Sequence, residues 1–124
     1  MKKIMIVDDD ISFCENLQYV LFREGYSIVV VHTGKDCLSK TLTEKPDLIL
    51  MDLMLPDGDG SVFVKQMLER PGVKLGPVAF LTALVGGGDH QDDTSVLVKD
   101  KRFPIMAKMS DGHELIRRIK GFLG

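Results

Sequence analysis

Five short apolar segments, spread along the whole chain, constrain its fold more than any other feature. They span Ile4 to Val7, Ile28 to Val31, Leu48 to Met51, Val78 to Leu81, and Ile105 to Ala107. Each segment is only three or four residues long, and none alternates apolar with polar residues. Uninterrupted apolar runs of this length are typical of strands buried on both faces, as in a parallel sheet covered by helices.

Segments with helical spacing lie between these apolar runs. We expect helices over Ser12 to Glu24, Thr33 to Lys45, Ser61 to Arg70, and the residues after Asp111. Glycine or proline follows the first three of these segments, which is where helices commonly end. The alternation predicts a single right-handed, doubly wound α/β domain over residues 1–124 with a five-stranded parallel sheet.

The stretch from Gly86 to Lys99 does not fit this alternation. Gly86 to Gly88 and the polar residues Asp89 to Asp93 form a poor start for a helix. We expect a loop there, followed at most by a short helix near Thr94 to Lys99.

Composition excludes several classes of protein. The 124 residues include 16 basic and 18 acidic side chains and carry a formal charge of −2, so we expect no direct nucleic-acid binding. No uncharged apolar stretch approaches the roughly 20 residues that a membrane span needs. The start Met1-Lys2-Lys3 leads into an apolar run that aspartates end, which is unlike a secretory signal. We therefore expect a cytoplasmic protein without membrane insertion.

Cysteine and histidine do not form a metal-binding pattern. Cys14 and Cys37 are too few and too far apart for a disulfide framework or for a zinc site with paired ligands, and we expect both to be buried thiols. His32, His90 and His113 also lack such spacing, and we expect them on the solvated surface.

Polar residues follow four of the five apolar runs. Asp8 to Asp10 follow the first, Asp52 the third, Thr82 the fourth and Lys108 the fifth. Because parallel strands all end at the same edge of a sheet, these side chains should meet there, where such sheets bind ligands. Three neighbouring carboxylates repel one another unless one of them is protonated or a cation is bound between them. At neutral pH a bound Mg²⁺ is the better explanation than protonation. A lysine and a hydroxyl beside them suit phosphoryl oxygens, and an aspartate can itself form an acyl phosphate.

These residues resemble the response-regulator receiver domain of bacterial two-component signalling. The matching segments are Val7 to Asp9, Asp52 to Gly60, Phe80 to Ala83, and Lys108. The resemblance covers essentially the whole chain. It implies a flavodoxin-like, CheY-like fold with strand order 2-1-3-4-5.

The resemblance also implies a role for each matching residue. Asp52 would accept a phosphoryl group, Thr82 would hydrogen-bond that group and Lys108 would pair with it. Mg²⁺ would be bound by a set of four ligands: Asp8, Asp9, Asp52 and the main-chain carbonyl of Met54.

The same resemblance implies the partners of the chain. A sensor histidine kinase or a histidine phosphotransfer protein would donate the phosphoryl group, and the acyl phosphate would later hydrolyse. The chain would thus promote only its own phosphorylation and dephosphorylation and would not be an enzyme. A downstream effector of unknown identity would bind a face formed by the fourth helix, the fifth strand and the fifth helix.

Two departures from the family pattern keep other interpretations open. Met109 follows Lys108 where proline is usual, and Ile105 stands at the position of an aromatic switch residue. A phosphorylation-independent binding module is therefore a second hypothesis. A third is a small phosphatase of the haloacid-dehalogenase type, because Asp8 to Asp10 loosely fit its Asp-x-Asp motif, although such enzymes are usually longer.

Overall fold

Strands and helices alternate over residues 3–52, as the apolar pattern predicts. The computed structural model describes residues 1–73, 75–83, 95–108 and 112–123. The elements are β1 (Lys3–Val7), α1 (Ile11–Arg23), β2 (Ser27–Val31), α2 (Gly34–Glu44), β3 (Leu48–Asp52), β4 (Met54–Leu55), β5 (Gly58–Asp59), α3 (Gly60–Glu69), β6 (Val78–Thr82), β7 (Ser95–Val98), β8 (Lys101–Ala107) and α4 (Gly112–Leu123). Each of the five apolar segments lies within a strand, so the predicted strands are confirmed.

The main sheet has six strands in the order β2-β1-β3-β6-β8-β7. The pairs β1–β2, β1–β3, β3–β6 and β6–β8 are all parallel. These five strands have the predicted order 2-1-3-4-5 and confirm the doubly wound α/β fold. The chain moves outward from β1 to β2 and then crosses to β3, which leaves a crevice at the carboxyl ends of β1 and β3, where such folds bind ligands.

Two apolar clusters cover the two faces of the sheet. On one face, Met5 of β1 packs in a cluster that includes Cys37 of α2 and Val64 of α3. On the other face, Ile6 packs with Cys14 of α1 and with side chains of α4. Both cysteines are buried thiols, as predicted. None of the helices in the described part of the chain is long and apolar enough to cross a membrane.

An edge strand occupies the region where a short helix was expected. The prediction of a helix near Thr94 to Lys99 is wrong, because Ser95–Val98 form β7, which pairs antiparallel with β8. The two residues between these strands, Lys99 and Asp100, have φ values of 47° and 70°, the left-handed conformation that the commonest two-residue hairpin turns use. The fourth helix of the expected effector-binding face is therefore replaced, within the described residues, by a strand.

The hairpin forms because its side chains alternate as in a strand. Val98 is buried in the core, whereas its neighbour Leu97 is exposed. Three of the predictions fall outside the described residues: the loop over residues 86–94, the surface position of His90, and the departure at Met109.

Candidate functional site

Four strand ends bring the predicted polar residues to one edge of the sheet. Asp8 directly follows β1, Asp52 and Thr82 are the last residues of β3 and β6, and Lys108 directly follows β8. Asp52 is in register with Leu81, the residue before Thr82. The backbone N–H of Lys108 donates to the carbonyl of Thr82 at 2.9 Å, which fixes the end of β8 beside that of β6.

Three carboxylates gather at this edge. Asp8, Asp9 and Asp52 each place an oxygen within 4.8 Å of the others. Asp8 and Asp52 are buried, with exposed fractions of 0% and 3%, whereas Asp9 is exposed. The cluster is therefore open to solvent on the side of Asp9.

Lys108 bridges the two buried carboxylates. Its Nζ lies 2.7 Å from Oδ2 of Asp8 and 2.9 Å from Oδ2 of Asp52. The same ammonium group lies 5.2 Å from the centroid of the Phe13 ring, which belongs to the first turn of α1. Burial acts to lower the pKa of Lys108, but the close contacts with the Asp8 and Asp52 carboxylates and their negative charges outweigh it, so the pKa is raised. Lys108 is therefore a charged group in the pocket at neutral pH.

The contacts of the Asp8 carboxylate indicate whether the pocket is suited to bind a metal ion. Burial raises the pKa of Asp8, and the neighbouring Asp52 carboxylate adds to this effect, while Lys108 and the N–H of Asp10 oppose it. Oδ1 of Asp8 accepts from the N–H of Asp10 at 3.0 Å. Oδ2 is buried and, among the described residues, has the ionic contact with Lys108 but no well-directed hydrogen bond. One ammonium group faces three carboxylates, so a net negative charge and spare oxygen ligands fit a hard divalent cation such as Mg²⁺.

The segment after Asp52 returns close to it. The N–H of Met54 donates to Oδ1 of Asp52 at 3.1 Å, and the N–H of Gly60 donates to the carbonyl of Leu53 at 2.9 Å. A Cβ on Gly60 would lie 2.2 Å from the main-chain oxygen of Asp52, so only glycine fits there. The predicted position of Met54 beside the pocket is thus observed, and the role of its carbonyl stays a prediction.

Asp57 makes a contact between distant parts of the chain that sequence reasoning missed. It lies in the turn between β4 and β5, and its carboxylate accepts from the N–H groups of Gly34 at 2.9 Å and Lys35 at 3.0 Å. These bonds at the start of α2 lower the pKa of Asp57. The sequence indicates a turn at Pro56 to Gly60 but gives no sign of the distant helix that this turn contacts.

The prediction that His32 lies on the solvated surface is wrong. His32 directly follows β2 and is half-buried, with Nδ1 2.8 Å from the main-chain oxygen of Asp8. Val7 and Val31 are in register, and this register places the residues after them side by side. The adjacency of β1 and β2 in the predicted sheet was the signal that would have found this contact. His113, by contrast, is exposed, as predicted.

Comparison with known sequences finds one family over nearly the whole chain. A family model described as the response regulator receiver domain matches residues 4–120. The alkaline phosphatase synthesis transcriptional regulatory protein PhoP of Bacillus subtilis (strain 168) is 36% identical over 122 residues, which are 98% of this chain and 48% of that protein. The chain thus spans about half the length of this relative.

Comparison with solved structures finds the same fold. The BeF3-activated N-terminal receiver domain of Klebsiella pneumoniae RstA is similar with a TM-score of 0.80 and 26% identity over 98% of each chain. CheY4, a chemotaxis response regulator of Vibrio cholerae, is similar in fold with a TM-score of 0.81 and 24% identity over 99% of each chain.

Proposed function

The chain belongs to the response regulator receiver domain family of two-component systems, and from this premise we propose that Asp52 accepts a phosphoryl group. One observation carries the proposal: the carboxylates of Asp8, Asp9 and Asp52 converge within 4.8 Å. Lys108 bridges two of them. The pocket therefore combines ligands for a cation, an acceptor carboxylate and a positive charge for phosphoryl oxygens.

The order of the strands favours Asp52 as the acceptor. β3, which carries Asp52, lies between β1, which leads to Asp8 and Asp9, and β6, which ends at Thr82. A phosphoryl group on Asp52 would thus have metal ligands on one side and the Thr82 hydroxyl on the other. The ammonium group of Lys108, which contacts both Asp8 and Asp52, would lie beside it. Asp8 suits this role less well, because it is fully buried and its oxygens face the N–H of Asp10 and the ammonium group of Lys108.

We infer the roles of the chain's own groups from this arrangement. Asp8, Asp9, Asp52 and the carbonyl of Met54 would hold Mg²⁺, which when bound supplies positive charge beside the reacting oxygens. The N–H of Met54 orients the Asp52 carboxylate through its bond to Oδ1. Lys108 would exchange part of its contact with the carboxylates for contact with a phosphoryl oxygen, and the Thr82 hydroxyl would donate to another.

The transfer itself exchanges one bond to phosphorus for another. The N–P bond of a phosphohistidine on a histidine kinase or phosphotransfer protein breaks, and an O–P bond to the Asp52 carboxylate forms. The histidine nitrogen keeps the electron pair of the broken bond. Later attack by water on phosphorus releases inorganic phosphate and restores the carboxylate. The chain is thus a stoichiometric acceptor in this proposal and not an enzyme with a separate substrate.

Incubation with acetyl phosphate, followed by intact-mass measurement, tests the proposal. We expect one added phosphoryl group in the presence of Mg²⁺, little in EDTA, and none in Asp52→Asn. Asp36→Asn is the matched control, because Asp36 is an exposed carboxylate in the first turn of α2. Failure of the wild type to gain mass with Mg²⁺ would favour a binding module that works without phosphorylation. Full labelling of Asp52→Asn would place the acceptor on another residue.

A further inference from the structure

The main-chain carbonyl of Asp8 has two side-chain partners from other elements. Nδ1 of His32 lies 2.8 Å from this oxygen, and Sγ of Cys14 lies 3.4 Å from it. The N–H of Asp8 donates to the carbonyl of Val31 at 3.1 Å. Both polar groups of the Asp8 main chain are therefore hydrogen-bonded, although Val7 is the last residue of β1 that is paired with a neighbouring strand.

The two side chains act as donors because the shared acceptor is a carbonyl oxygen. A carbonyl oxygen offers only lone pairs, so the imidazole of His32 must carry a proton on Nδ1. Burial raises the pKa of Cys14 to about 12, so its thiol remains protonated at neutral pH and is able to donate. A thiol is a weak donor, which makes His32 the stronger of the two contacts.

We propose that His32 is a positioning residue, whose bond to the Asp8 carbonyl holds the Asp8 carboxylate in the acidic pocket. The role rests on the proposed function, because it concerns Asp8 as a metal ligand. The Asp8 and Asp52 carboxylates repel each other, and a main chain free to turn at Asp8 would let the two groups separate. Groups that orient metal ligands commonly change metal affinity by 10–100-fold when they are removed.

Titration with MgCl₂, followed by calorimetry, tests this role in three variants. His32→Ala removes the donor, and we expect Mg²⁺ to bind about tenfold more weakly, at the low end of the usual range. His32→Asn keeps an N–H group near the place of Nδ1, and we expect it to restore most of the affinity. His113→Ala is the matched control, because His113 is an exposed histidine on α4. Unchanged affinity in His32→Ala, or equal weakening in His32→Asn and His32→Ala, would overturn the proposal.

A second readout does not need the metal. The N–H of Asp10 donates to Oδ1 of Asp8, so its hydrogen exchange reports whether the Asp8 carboxylate is held in place. We expect this amide to exchange about tenfold faster in His32→Ala than in the wild type and in His32→Asn. Equal exchange in all three would overturn the role of His32. A wild type that binds no Mg²⁺ but shows this pattern would contradict the proposed function alone.

A third readout uses only the wild type and covers the case in which His32→Ala does not fold. Nitrogen-15 spectra of the imidazole ring distinguish a proton on Nδ1 from a proton on Nε2. We expect a proton on Nδ1 of His32. A ring protonated only on Nε2 would be unable to donate to the Asp8 carbonyl and would refute the proposal.

Discussion

At the scale of single residues, Lys108 makes a buried acidic pair compatible with a folded protein. Asp8 and Asp52 are both buried, and the ammonium group of Lys108 contacts an oxygen of each. The compensation is incomplete, because burial still raises the pKa of Asp8 above its ordinary value. A carboxyl group with a raised pKa is one whose charged form is unfavourable in the folded state. The folded pocket thus contains an unfavourable negative charge, which a bound cation would stabilise.

Asp8→Asn removes this charge and nearly preserves the shape of the side chain. We expect the free energy of unfolding at pH 7 to rise by about 1 kcal/mol, because Lys108 keeps Asp52 as its partner while the repulsion between carboxylates disappears. Urea denaturation gives the value. Saturating Mg²⁺, at 100 times its Kd, should stabilise the wild type by about 2.7 kcal/mol and the variant much less.

The opposite result would identify the Asp8–Lys108 contact as a net source of stability. A free energy of unfolding that falls by 1 kcal/mol or more in Asp8→Asn would contradict this account. Asp36→Asn, on the exposed side of α2, serves as the control. It should lose about 0.5 kcal/mol, because it removes a carboxylate from the first turn of a helix, and it should not gain stability as Asp8→Asn does.

At the scale of elements, the segment between β3 and α3 sets the geometry of the acceptor. Its hairpin is attached to the start of α2 through the Asp57 carboxylate. Its end turns so closely past β3 that a Cβ on Gly60 would lie 2.2 Å from the Asp52 carbonyl oxygen. Because the opposing atom belongs to the main chain, it is unable to move aside as a flexible side chain would.

Gly60→Ala should therefore destabilise the protein and disturb the acceptor. We expect a loss of about 1–3 kcal/mol, typical of forcing extra volume into a packed site, together with weaker phosphoryl labelling. Gly121→Ala is the matched control: Gly121 lies in α4, where an added Cβ would meet nothing within 4 Å. Alanine is the better helix former, so this variant should gain up to about 1 kcal/mol. Equal effects of the two substitutions in urea denaturation would contradict the close approach at Gly60.

The elements also show which strands and contacts could be predicted from the sequence. The buried strands β1 and β3 are apolar along nearly their whole length, so they are recognisable locally. The edge strand β7 was missed because its turn uses Lys99 and Asp100 where glycine or asparagine is usual. The contacts of His32 and Asp57 join distant parts of the chain, and only the assembled sheet brings them together.

The turn between β7 and β8 gives a prediction for the hairpin itself. Asp100 has a φ of 70°, a conformation that glycine adopts without steric penalty. Asp100→Gly should therefore raise the free energy of unfolding by about 0.5–1 kcal/mol, because glycine is the preferred residue at the second position of such a turn. Urea denaturation measures the change. Destabilisation of similar size would mean that Asp100 does not have a left-handed conformation in solution.

At the scale of the whole molecule, strand order converts scattered residues into one pocket. The sequence positions of Asp8, Asp52, Thr82 and Lys108 predicted this pocket, because parallel strands end together. The structure places them as predicted, at the ends of β1, β3, β6 and β8. The side of the sheet away from β2 differs from the expectation, because β7 forms an additional strand beyond β8 where a helix was predicted. Among the described residues, β7 is the last strand on that side of the sheet.

The central claim is that Asp52 carries the phosphoryl group, and residue mapping tests it most directly. Borohydride reduces an acyl phosphate of aspartate to homoserine, which marks the acceptor in peptide mass spectra. After reaction with acetyl phosphate and Mg²⁺, we expect homoserine at position 52 and unmodified aspartate at positions 8 and 9. Homoserine at position 8, with position 52 unmodified, would contradict the account and favour an Asp8 nucleophile.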